Sequence, residues 1–363
     1  MSTHHTQQIA GTEALKWALG NWLVSRLVIF ICIFVVAPHI PLPRPEDPGF
    51  RPELSWSEMN LLDGKWYEKI VVQGYEYQRD GRPHDIAFFP LYPGLVWALM
   101  RTGLGFAAAG TIISNLAFLG ALYLLYLRTA EHYGNSAGRL AVAAMAWFPL
   151  SVLCSAVYSE SVFLLVTLAF LQTFEKGHYW SATVLAAIAT FCRVPGIVIV
   201  PTVIVLGVAD RLPWRAYLPV LSSLLALSSF MWYQAFRFHD PLAFVHVQAA
   251  WEHVTLSSVL SRIYHPINVM RISACPAAIL LLWSLRRKLC RLDLLYAGFS
   301  LALILLSLQL NSIHRYVFGI ASVWVALGLW FSEHRRVGIT AVVLSAAALP
   351  FESVAWAWHH FLG

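Results

Sequence analysis

Roughly eleven apolar stretches, most ending at a short basic connector, leave this chain one solvent to fold in. Of its 363 residues 58% are hydrophobic and 12% charged, where a soluble domain carries about 25% charged residues. Lipid offers backbone groups no hydrogen bonds, so only helices and closed barrels cross it. Runs near the ~20 residues of a spanning helix point to helices. The expected class is an all-α polytopic membrane protein, one integral-membrane domain over 1–363. The expected spans are 17–37, 106–127, 139–157, 160–175, 178–193, 195–209, 216–235, 268–285, 293–311, 315–332 and 337–358. The first, Trp17 to Ala37, is too long for a signal-peptide core and lacks a small-residue cleavage site, so it reads as a span. The apolar segment 86–103 contains Pro90 and Pro93 and reads as a surface or re-entrant helix.

Basic residues set the expected orientation. With Lys16 in the cytoplasm, strict alternation places Arg128 to Arg139, Lys176, Arg211 to Arg215, Arg286 to Arg291 and His334 to Arg336 inside. The net charge of +6 thus reports topology, and no nucleic-acid partner is expected. The outer face then receives the first loop 38–105, the turn at Tyr158 to Ser161, the break at Cys192 to Gly196, an amphipathic segment 236–267, and Asn311 to Tyr316. Asp63, Glu160, Arg193, Asp240, His246, His314 and Arg315 all fall on that face. A transporter more typically keeps such residues at mid-membrane on broken helices of two related halves. A transporter or flippase, and a structural subunit of a larger assembly, stand as other readings.

Several polar residues have two readings each. Asp63 precedes Gly64, which permits a tight turn and a close approach. With Trp66 and Tyr67 as walls it suits a general base, and equally a helix N-cap. Arg193 stands beside Pro195 and Gly196. An arginine in hydrocarbon costs about 3 kcal/mol on insertion scales, so it calls for an anion: a lipid phosphate or Glu160. Glu160 either caps the following helix or binds a substrate hydroxyl. His314 and Arg315 either meet a phosphate or anchor a helix end. Asp240–Pro241 reads as a helix start. Phe244, Val247, Trp251 and Val254 then share one face, with Gln248 beside it, as in a helix resting on the outer leaflet. The five cysteines show no CxxC spacing and read as small core residues. His359 and His360 receive no role. No nucleotide-binding or zinc motif is present.

The order of motifs is familiar. "DGKWY" at 63–67 is followed by "AFFPLYP" at 87–93, "SNLAFLGALYLLY" at 114–126, "AVYSESVF" at 156–163, "ATFCRVPGIVIVP" at 189–201 and "DPLAFVHVQAAW" at 240–251. "NSIHRY" at 311–316 is a weaker later match. Over about residues 55 to 255 the chain resembles the PIG-V-like mannosyltransferases of the GT-C glycosyltransferase superfamily, in a compact bacterial form. Leu62 departs from the family, whose members often carry Trp before the acid. The resemblance implies a GT-C-like helical bundle and a mannosyl or related donor on a polyprenyl phosphate. It further implies a lipid, glycan or protein acceptor, and a site on the non-cytoplasmic face, here the outer side of a bacterial inner membrane. It makes Asp63 the catalytic base. Trp66, Tyr67, Tyr92 and Tyr158 become sugar-stacking or pocket-shaping residues, and Gln248 and Trp251 candidates for the lipid entry. Arg193 or Arg315 would meet the leaving phosphate. No metal and no cofactor is expected.

Overall fold

The computed structural model describes residues 2–40, 42, 49–251, 266–307 and 312–360. Among them every element is helical. The apolar runs became helices close to where they were expected: Phe106–Tyr133, Glu160–Glu175, Tyr179–Cys192, Leu218–Phe238, Pro266–Leu285, Arg291–Ser307 and Arg335–Ala357. Lengths are another matter. Among the described residues four stretches are long and apolar enough to cross a bilayer: Gly11–His39, Phe106–Tyr133, Trp214–Phe238 and Arg335–Ala357. A count near eleven is not confirmed, because several runs are broken. The run 139–157 forms Asn135–Trp147 and then a 3-10 turn at Pro149–Cys154, where Pro149 cannot donate a helical bond. The run 315–332 splits into Ile313–Phe318 and Ala321–Glu333 around Gly319. Segment 86–103 supplies Leu91–Met100, whose ten residues are too few to span.

Cα packing gathers the chain into two compact units. The first comprises Met1–Lys65, Met100–Leu165 and Trp324–Leu362. In it Phe106–Tyr133 packs on Asn135–Trp147 and on the N-terminal helix Ser2–Ile31. Arg26 of that helix is buried, and among the described residues no carboxylate is a hydrogen-bond partner of it. Its guanidinium instead donates to the Ala146 and Ser151 carbonyls and the Ser151 and Ser155 hydroxyls at 2.7–3.2 Å, and Nε reaches Ser25 Oγ. It also lies 4.7 Å from the Phe118 ring centre. Backbone carbonyls orphaned by the 149–154 break thereby gain donors. The chain leaving that break arrives at Tyr158 in a fixed place.

The second unit comprises Trp66–Leu99 and Val166–Val323. Tyr179–Cys192 packs on Leu218–Phe238, and Ile199–Ala209 on Arg291–Ser307. The expected break at 192–196 is present. Arg193 is extended, and a 3-10 turn Val194–Val198 follows. A Cβ on Gly196 would lie 2.4 Å from the Ala189 carbonyl, so only glycine lets the two backbones meet.

Candidate active site

Asp63 opens the helix Asp63–Gln73 and is half-buried. Three local features fix its backbone. Leu62 adopts φ 52°, left-handed backbone that a branched residue enters only at a cost of order 1 kcal/mol or more. The helix therefore starts from a forced turn. The Asp63 backbone N–H donates to the Tyr158 hydroxyl at 3.3 Å. And the 156–158 strap is tied to the same turn by Val157 N–H to the Met59 carbonyl, 2.9 Å. Gly64 fits this description with one change from the sequence expectation. The tight turn is made by Leu62, and Gly64 serves close approach: a Cβ there would lie 2.5 Å from Asn60 Oδ1 and 3.3 Å from the Val157 carbonyl.

Tyr158 is buried; its carbonyl accepts from Ser114 Oγ, and its ring meets the edge of Trp356 at 5.5 Å. Glu160 is buried at the first position of Glu160–Glu175, where its carboxylate faces the positive end of the helix dipole. Asp63, Tyr158 and Glu160 all belong to the first unit.

Beside this turn lies a cavity of about 620 Å³, lined by Phe50, Arg51, Glu53, Glu58, Lys65 and His359 among others. Glu58 and His359 were missed in the sequence. Glu58 is 5% exposed. Its Oε1 accepts the Glu53 backbone N–H at 3.1 Å. Its Oε2 is buried with no hydrogen-bond donor among the described residues, and His359 Nε2 stands 3.9 Å away. Burial pushes the Glu58 carboxyl above the usual range, against the pull of the Glu53 N–H. The far end of the chain holds this wall. Trp356 Nε1 donates to the Glu58 carbonyl at 2.9 Å, Phe50 packs on His359 at 4.7 Å and on Trp358 at 5.8 Å, and Arg51 lies over Trp358. No sequence pattern joins positions 58 and 359, so spacing alone held no signal; a buried acid beside Met59 and Leu61 was the only hint.

The remaining candidates lie in the second unit. Trp66, Tyr67 and Tyr92 are brought together around Phe88: Trp66 stacks on it at 6.3 Å, Tyr67 meets its edge at 5.1 Å, and Tyr67 meets Tyr92 at 4.8 Å. Tyr67 and Tyr92 are buried, so these rings build a wall from inside. Arg193 is half-buried at the end of Tyr179–Cys192. His314 is half-buried and Arg315 buried on the short helix Ile313–Phe318. In the described part of the segment 236–267, residues 236–251, the chain after Asp240 does not form one continuous helix. Two four-residue helices, Ala243–His246 and Gln248–Trp251, are separated at Val247. Phe244 and Val247 are buried in a cluster with Ile86, Phe89 and Phe230. Gln248 is half-buried; Val254 lies outside the described residues. Asp240 does start this segment: Oδ1 accepts the Leu242 N–H, and Oδ2 accepts the Tyr77 hydroxyl at 3.1 Å and meets His246 Nδ1 at 2.7 Å.

No family model matches the chain. Over 204 residues it is 27% identical to the human protein named GPI alpha-1,6-mannosyltransferase 2, an alignment covering 51% of this chain and 40% of that protein. The chain therefore spans well under half of that relative's length in the match. Among solved structures it resembles ArnT from Cupriavidus metallidurans. The form bound to undecaprenyl phosphate matches with TM-score 0.54 at 13% identity, covering 95% of this chain and 77% of that one. The apo form matches with TM-score 0.55 at 13% identity, covering 96% and 78%. At this identity the likeness shows a shared fold.

Proposed function

From a chain that is an integral membrane protein with a GT-C-like fold and a sequence related to a mannosyltransferase, we propose a lipid-linked sugar transferase. The donor is a mannosyl or related residue on a polyprenyl phosphate, and the acceptor a hydroxyl of a lipid, glycan or protein. The observation that carries this reading is the placement of Asp63. It is a half-buried acid at the head of a helix whose entry turn is strained at Leu62, with its backbone N–H bonded to the Tyr158 hydroxyl. Such bracing is how a fold holds a base to one geometry. Asp63 takes the proton of the acceptor hydroxyl as its oxygen attacks the anomeric carbon. The bond to the phosphate oxygen breaks in the same displacement, inverting the anomeric centre. The leaving group is already a stable anion, so it needs positive charge nearby and no general acid. Arg193 and Arg315 are the proposed sources, with His314 a further candidate. Trp66, Tyr67 and Tyr92 shape the wall, and Gln248 and Trp251 border the lipid's path. The reaction is assigned to the non-cytoplasmic side of a bacterial inner membrane, on the strength of the basic connectors.

The test is purified protein in lipid nanodiscs with polyprenyl phosphomannose and a membrane extract as acceptor source. Mass spectrometry is expected to find a new glycosidic bond of inverted configuration. Movement of intact donor across the bilayer, with no such bond, would replace the transferase by a flippase.

A further inference from the structure

A second cavity, of about 380 Å³, belongs wholly to the second unit. Arg79, Arg82 and His246 line it with Tyr77, Val245 and Val247, and none of its lining residues is acidic. Arg79 is held in place: its Nη2 lies 3.1 Å from His246 Nδ1 and 3.5 Å from Asp240 Oδ2, yet its side chain is 71% exposed. A guanidinium carries five N–H donors, so most of them remain for a ligand. Arg82 donates its backbone N–H to Asp80 Oδ1 at 2.9 Å, while its exposed side chain has no hydrogen-bond or ion-pair partner among the described residues. Two guanidiniums on a lining without acids call for an anion, and their planar forks match the oxygens of a phosphate.

The place of the cavity along the membrane normal names the source of that phosphate. Tyr77 meets the edge of Phe238 at 6.0 Å, and Phe238 is the last residue of Leu218–Phe238. The 21 residues of this helix rise about 32 Å, close to the ~30 Å hydrocarbon core of a bilayer. Exposed aromatic residues mark both of its ends: Trp214 before its start, and Trp232 stacked on Phe236 at 6.0 Å in its last two turns. Aromatic belts of this kind stand at the two membrane–water interfaces. The cavity thus stands at head-group level, where the abundant phosphate is that of the membrane's own glycerophospholipids. A zwitterionic head group would bring a cation toward two guanidiniums; an anionic one brings only phosphate and hydroxyls. His246 meets Asp240 through Nδ1 at 2.7 Å, which leaves Nε2 for such a hydroxyl.

We propose that this cavity binds the head group of an anionic glycerophospholipid, with the phosphodiester on Arg79 and Arg82, the glycerol at His246, and the acyl chains left in the bilayer. The proposal needs only a chain that lies in a membrane. Neither sugar donor nor acceptor enters it, so it stands or falls apart from the transferase reading.

The experiment is native mass spectrometry of the full chain in detergent, titrated with dioctanoyl phosphatidylglycerol, dioctanoyl phosphatidylcholine or inorganic phosphate. One phosphatidylglycerol adduct is expected, about tenfold tighter than phosphatidylcholine, equivalent to about 1.4 kcal/mol. The double variant Arg79→Gln/Arg82→Gln is expected to bring phosphatidylglycerol down to the phosphatidylcholine level. Arg82→Gln alone serves if the double variant does not fold, and is expected to weaken binding in the same direction. Arg215, 5.7 Å from the Trp214 ring centre at the far end of the same helix, is the control, and Arg215→Gln is expected to leave the adduct unchanged. Equimolar inorganic phosphate or polyprenyl phosphomannose is expected not to displace the lipid. Equal binding of the two phospholipids, equal phosphatidylglycerol binding in wild type and the cavity variant, or the same loss in Arg215→Gln would each overturn the proposal. Displacement by inorganic phosphate would reduce the site to one for a free anion, and displacement by polyprenyl phosphomannose would give it to the sugar donor; either result also overturns it.

Discussion

Two carboxylates in the connections between long helices are treated in opposite ways, and the contrast separates structure from chemistry. Asp240 is saturated. It accepts from Tyr77, His246 and the Leu242 N–H, with Arg79 at 3.5 Å, and the His246, Leu242 and Tyr77 bonds outweigh burial to hold it below the usual carboxylate range. Glu58 is buried, with no hydrogen bond to its Oε2 among the described residues and His359 Nε2 3.9 Å away, and burial pushes it above that range. The first stabilises the segment it belongs to. The second carries a local cost.

The comparison can be broken by substitution. Asp240→Ala is expected to have the larger effect, about 2 kcal/mol, because it strips the acceptor from a phenol and an imidazole together. Melting should fall by several degrees in a thermal-shift assay. Glu58→Gln should be neutral or stabilising by up to about 1 kcal/mol, since an amide avoids the cost of a desolvated charge. Destabilisation by Glu58→Gln as large as that of Asp240→Ala would erase the contrast.

Acidity sharpens it further. Asp240 has a depressed folded value, so its contribution is present above the unfolded value of about 3.9 and is lost as pH falls through the folded one. Glu58 has a raised folded value, so its penalty is absent below about 4.3 and grows as pH rises through the folded one. The difference between Asp240→Asn and wild type should therefore shrink toward pH 3, and any gain from Glu58→Gln should appear only above about pH 4.3. Melting curves over this range check both signs. The smallest expected effect is that of Arg79→Ala. Its side chain is 71% exposed, and removing it should change stability by less than about 0.5 kcal/mol.

Much of the fold was legible because lipid is a strict solvent. Apolar runs became helices almost residue for residue, as at Glu160–Glu175, and the 192–196 break stands where Pro195 and Gly196 put it. Lengths were less legible, because a proline or glycine inside a run, as at Pro149 or Gly319, divides one apparent span into two pieces. The segment 236–267 shows the other limit. Its apolar face was real, but periodicity does not say whether lipid or Phe89 and Phe230 will cover it. Several charged residues between 69 and 85 pair among themselves, Lys69 with Glu76 and Asp85, His84 with Asp80. Arg26 was readable in principle, as a lone arginine in an apolar run. Glu58 and His359 were not, because their partnership exists only after the chain has folded.

The central claim is that the Asp63 carboxylate removes the acceptor's proton, and one measurement meets it directly: the rate of sugar transfer by Asp63→Asn relative to wild type, in nanodiscs with matched melting temperatures. The Asn side chain keeps the size and the turn but is no base, so the rate should fall by about 10²–10⁴-fold. Transfer within about twofold of wild type by a folded Asp63→Asn protein, where general-base catalysis alone is worth at least a hundredfold, would contradict it.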